Sequence, residues 1–202
     1  MSPFTVRLLA VGVVGITLGL GRLVVGQTDD VTSYDKSTMA QSAIIELGEM
    51  LVAKDVSERA RRIVREHDSE HISSVFKIKK KGGLGIGKLT EIANTPDGIG
   101  VLMLRLSSRR TITEAEIEKY ADDYRRVAKV LQAMAEVAPH RATKRVQKSA
   151  KLTAEWNEVT SEFKEGASSF RKAVDEIDPK MLRLAAGKLS NTCCHCHELS
   201  DQ

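Results

Sequence analysis

The chain is poor in the residues that β-sheet proteins and small disulfide scaffolds depend on. Aromatic residues make up 4% of its 202 positions, with one tryptophan, and only four residues are proline. Sandwiches and barrels draw on aromatic and β-branched pairs and on frequent turn residues, so a many-stranded fold is disfavoured. Cysteine is as scarce: all three copies lie between positions 193 and 196, so no disulfide framework spans the fold and their chemistry is local. Charge of one sign is also lacking. The 31 basic and 27 acidic residues leave a net charge of +4, mixed along the chain, which is not the footprint of a nucleic-acid binder. Long hydrophobic runs are nearly absent: the 13 uncharged residues of 8–20 fall short of a comfortable bilayer span.

That one run is informative. Arg7 precedes it and the small residues of Val24-Val25-Gly26 follow it, the pattern of a secretory signal over residues 1–26 cleaved near Gly26. The mature chain, 27–202, is then expected in the periplasm or otherwise exported, with no membrane segment of its own. The rival reading is an uncleaved anchor in which Leu23, Val24 and Val25 extend the stretch past a snorkelling Arg22.

Beyond it, 42% hydrophobic and 29% charged residues are arranged with helical period. Residues 33–52 place Met39, Ala43, Leu47, Met50 and Leu51 at three- and four-residue steps, and 55–72 continue that helix or form a second. Residues 77–100 break the pattern with Lys77, Lys79, Lys80 and Lys81, a glycine-rich run and the turn Thr95-Pro96-Asp97-Gly98. The short apolar run 99–106 reads as helix or strand. Thr113 and Glu116 form a capping box ahead of a stripe from Ile117 through Tyr124 and Leu131 to Met134, which ends at Pro139. Another helix begins near Ala142 and carries Trp156, Val159, Phe163, Ala167, Phe170, Val174 and Ile177 in near-heptad order. Asp178-Pro179 opens a last helix on which Leu182, Ala185, Leu189, Cys193 and Cys196 share a face. The expectation is an all-α fold: a four-helix bundle with a loop-rich insertion, about 55–110, between its first two helices.

The chemistry sits at the end of the last helix. Cys193-Cys194-His195-Cys196-His197 contains C-x-x-C-H, the attachment signature of covalent c-type haem. On a helix, positions i, i+3 and i+4 share a face, so the Cys193 and Cys196 thiols reach the two porphyrin vinyl groups while His197 offers its imidazole to the iron. Such attachment takes place outside the cytoplasm, which agrees with the signal sequence. A thioredoxin-like dithiol would instead open a helix beside a βαβ unit. A zinc site would need His67 and His71 to join the two cysteines, and two cysteines with no cofactor is the remaining reading.

The motif, closing the last helix of an exported helical chain, resembles the cytochrome c-prime family of class II c-type cytochromes. The similarity is best over 152–199, with Trp156, Phe163, Ala167, Phe170, Ala173, Asp178 and Ala185-Ala186 leading to Cys193, and weaker over 36–54. The resemblance implies one haem, His197 as proximal iron ligand, and either one-electron transfer with a redox partner protein or binding of a gas such as nitric oxide or carbon monoxide. It implies no enzymatic substrate pocket. It also places the residue facing the iron on the first helix, where Met39 fits best, ahead of Met50, Met134 and His140. Family members often pair through their first two helices, which implies a homodimer. The insertion departs from the family pattern.

Three other features tempt. Residues 82–88 fit G-x-x-x-x-G-K, but Leu89 replaces the hydroxyl residue of a phosphate loop, and a free loop is the better reading. The lysines at 77–81 read as a solvated loop, with docking of an acidic redox partner as the alternative. Cys194 lies about 100° round the helix from Cys193, outside the motif.

Overall fold

The computed structural model describes residues 17–93, 96–109 and 112–201, with side chains from 33 onward except 92, 93 and 201. The chain divides into two compact units, Met1–Asp35 and Lys36–Gln202. Residues 1–16 of the expected signal segment lie outside the described residues, and 17–26 are helical backbone. Among the described residues every regular element is a helix, so the all-α expectation holds, and no helix is long and apolar enough to cross a membrane.

Helix α1 (Thr17–Glu49) contributes Ala40, Ile44 and Leu47 to the interior of the second unit. Of the expected stripe, Leu47 is buried and Ala43 packs against the core, but Met39 is 63% exposed and the neighbouring Ala40 is buried instead. Apolar residues occupy adjacent lines here, as at Ile44 and Ile45, and a shift of one residue rotates the buried face by about 100°.

The stretch expected as a loop-rich insertion is largely helical and builds core. It holds α2 (Val56–Glu66), α3 (Ser69–Ser73), α4 (Leu89–Ala93) and α5 (Ile99–Ser108). On α5, Ile99, Leu102, Met103 and Leu106 are buried at i, i+3, i+4 and i+7, and this helix packs directly on the last one. The undecided run at 99–106 is therefore a core helix. The glycine run is not free either. Asp97 accepts a hydrogen bond from the Ile86 N–H, and a Cβ on Gly85 (φ 71°) would stand 2.7 Å from the same carboxylate. The loop is thus folded round the chain's own carboxylate.

Thr113 and Glu116 make the expected capping box at the start of α6 (Glu114–Lys119). The helix predicted from there to Pro139 is interrupted at Tyr120, whose backbone (φ −118°, ψ 22°) leaves the helical region before α7 (Ala121–Val137). A 3-10 turn (Ala138–Arg141) and α8 (Lys144–Gln147) lead to α9 (Ala150–Asp175), capped by Ser149. Asp178 accepts from the Met181 N–H at 2.9 Å and opens α10 (Pro179–Asp201), as its place before Pro179 implies. Helix α9 packs on α7 and α10, and α5 lies on α10.

The α9–α10 contact depends on a missing side chain. A Cβ on Gly166 would lie 3.1 Å from Leu189 Cγ, and Leu189 is fully buried. Gly166→Val is expected to force these helices apart and destabilise the protein by about 1–3 kcal/mol. Thermal unfolding should register about 2–4 °C per kcal/mol for a chain of this size.

Candidate functional site

The three residues of the motif lie in the last turns of α10, and the hydrophobic core divides beside them. Cys193 packs against the main core, whereas Cys196 packs against a smaller cluster of Val146, Trp156, Val159 and Leu199. Two cavities adjoin this division, both bordered by Phe76, Cys193 and His197. The larger, about 470 Å³, is walled by α5 (Gly100, Val101, Met103, Leu104), with Leu189 on α10 and with Lys77 and Lys81 also along it. The smaller, about 100 Å³, reaches Met134, Arg141, Trp156, Phe163 and Cys196. Both are open on one side to solvent, and apolar clefts beside two thiols and an imidazole have the character of a ligand site.

The cysteines differ in reactivity. Burial raises the Cys193 thiol to about 12, with Cys196 and Cys194 adding to the shift. Burial likewise raises Cys196 to about 11, which Arg141 partly opposes. An acid whose pKa rises holds its proton to higher pH, so both motif thiols are neutral, weak nucleophiles at pH 8. Cys194 is exposed. Iodoacetamide at pH 8 should therefore modify Cys194 in the haem-free chain at least about a hundredfold faster than Cys193 or Cys196. Mass spectrometry before and after unfolding checks this.

Of the residues expected to meet at the site, Cys193, Cys196 and His197 do, and Met39 does not: it borders neither cavity. Met134 borders the smaller cavity, and Met50 lines a separate cleft beside α2. His140 lines an open polar cleft of about 500 Å³ with Arg61 and Arg65, and burial, then the charge of Arg61, lowers its pKa. His71 pairs with Asp68 at 3.6 Å. Among the described residues no group of three or more His, Cys, Asp or Glu is placed to hold a metal ion, so His67 and His71 do not join the cysteines.

Sequence reasoning missed Phe76, Met103 and Arg141. Phe76 and Arg141 belong to no long periodic stretch, and Met103 lay in the run whose type was undecided, so only tertiary packing brings them here. No protein-family model, curated protein or solved structure matches the chain.

Proposed function

We propose that the chain is an exported monohaem c-type cytochrome, similar to the cytochrome c-prime family, that carries one electron between partner proteins. The observation that supports it most is the joint position of Cys193, Cys196 and His197 on one helix face beside apolar space of about 470 and 100 Å³. The donor set suits haem: the porphyrin brings four nitrogens of its own, so a site with one imidazole and no wider cluster of metal-binding side chains suffices.

When bound, haem supplies the one-electron iron couple. Cys193 and Cys196 are the thiols that would add across the two vinyl double bonds, each forming a carbon–sulfur bond as its proton passes to the neighbouring vinyl carbon. His197 would hold the iron from the α10 side. Phe76 and Leu189, which border the larger cavity, would shield a bound ring from water, and such shielding raises a reduction potential. Lys77 and Lys81 put positive charge beside the larger cavity, which suits an acidic partner.

The four-helix reading is retained with different members. Helices α5, α7, α9 and α10 would form the bundle, with α5 in the place that the resemblance assigned to α1.

The test is the chain exported by a host that matures c-type cytochromes. Haem that stays with the polypeptide on a denaturing gel, and a low-spin reduced spectrum unmoved by carbon monoxide, are the expected results. No covalent haem would end the reading. A high-spin spectrum that shifts with carbon monoxide would turn it to gas binding.

A further inference from the structure

A further cleft is bordered by none of the three motif residues and by no acidic side chain. It lies between α2 and the 3-10 turn after α7, with α9 as a third wall, and has a volume of about 500 Å³. Arg61 and Arg65 enter it from α2, four residues apart and so on one face of that helix. His140 enters it from the turn, which packs against α2.

The cations here outnumber their partners. Arg65 lies 3.1 Å from the Glu58 carboxylate, whereas among the described residues Arg61 makes no ion pair and the His140 ring makes no hydrogen bond. Arg62, the next residue, is also without an ion pair, but the cleft it borders is lined by Glu46 and Glu66 as well. Burial, and then the charge of Arg61, lowers the pKa of His140 against the opposing pull of Glu136 and Glu58. Both of those carboxylates are already engaged, Glu136 by Lys164 at 2.7 Å and Glu58 by Arg65. Like charges four apart on a helix repel, so an anion between Arg61, Arg65 and His140 would relieve a conflict that the chain itself leaves standing.

The chemistry of the wall narrows the anion. Guanidinium forks match the paired oxygens of a phosphate, and an imidazole adds a further donor. The space exceeds that of one phosphate group, and Val64, Pro139 and Ala142 give it an apolar side. We infer that this cleft binds a small organic phosphate monoester, with Arg61 and Arg65 holding the phosphate oxygens, His140 donating to them, and the organic part lying along Val64, Pro139 and Ala142. The inference is independent of the haem reading, because no residue assigned to the haem takes part.

The test is calorimetric titration of the full-length protein, in whichever haem state it is exported, with phenyl phosphate, inorganic phosphate and benzyl alcohol. Phenyl phosphate is expected to bind one to one, inorganic phosphate more weakly, and benzyl alcohol not at all. Arg61→Gln should weaken phenyl phosphate by at least about tenfold, and His140→Gln should weaken it severalfold. Arg62→Gln removes the same charge one residue away and should leave the affinity unchanged. All three positions are at least partly exposed, so folding is not at stake. The proton resonances of the His140 ring give a second readout: the bound phosphate offsets Arg61, so the ring should titrate at a higher pH than in the free protein.

No saturable binding of phenyl phosphate overturns the site. Equal weakening by Arg61→Gln and Arg62→Gln also overturns it, since the attraction is then the diffuse charge of α2. An unmoved His140 titration removes that residue from the contact and overturns the geometry inferred. Inorganic phosphate binding as tightly as phenyl phosphate overturns the organic part and makes free phosphate the ligand.

Discussion

Changing Cys193 and Cys196 together to alanine is expected to give an exported chain with no covalent haem, while Cys194→Ala loads haem to the wild-type level. The first pair shares the α10 face with His197 beside the cavities; Cys194 is an exposed neighbour about 100° round the helix. Each single change should leave one attachment and a shifted reduced absorbance band. His197→Ala should keep both thiols and lose the iron ligand, so that whatever haem it holds is high-spin. The double variant also tests how far haem supports the fold. Without the ring, the main core and the Trp156 cluster lose the surface that would join them, worth about 3–6 kcal/mol if the buried area matches two aromatic side chains. Circular dichroism should show helix retained, because α9 and α10 still pack through Phe170, Ala185 and Leu189, with a melting temperature lower by about 10 °C. Haem loading lost in Cys194→Ala instead would mean that the motif is not the attachment site.

What the sequence made legible was local. The capping box at Thr113 and Glu116, the Asp178-Pro179 start and the stripe from Trp156 to Val174 depend on neighbours within a few residues, and the structure has each where expected. The spacing of Cys193, Cys196 and His197 is equally local. The buried face of α1 was not, because Ala40-Ile44-Leu47 and Met39-Ala43-Leu47 have the same period, and only contact with the rest of the unit selects between them. The role of α5 was hidden for another reason. Glycine and lysine residues before it suggested an insertion, whereas Ile86 and Leu89 are fully buried and Asp97 holds the loop in place.

With α5 proposed in the place of α1, the expected iron ligand moves as well. Met39 is 63% exposed, whereas Met103 is 3% exposed on α5 and borders the larger cavity with Cys193 and His197. In the haem-loaded protein, Met103→Leu is expected to convert a low-spin spectrum to a high-spin one, to open the iron to carbon monoxide, and to lower the potential by on the order of 0.1 V. Leucine nearly keeps the volume of methionine and removes the sulfur, so repacking contributes little to the change. Met39→Ala should leave spectrum and potential where they are, and Met134→Leu, at the smaller cavity, should do the same. Absorbance with and without carbon monoxide, followed by a redox titration, separates the outcomes. A wild type that is already high-spin, in which Met103→Leu alters only carbon monoxide affinity, makes Met103 a wall of the pocket and the protein a gas binder. The side chain is the same in both cases; what distinguishes a carrier of electrons from a binder of gases is whether its sulfur occupies the sixth position on the iron.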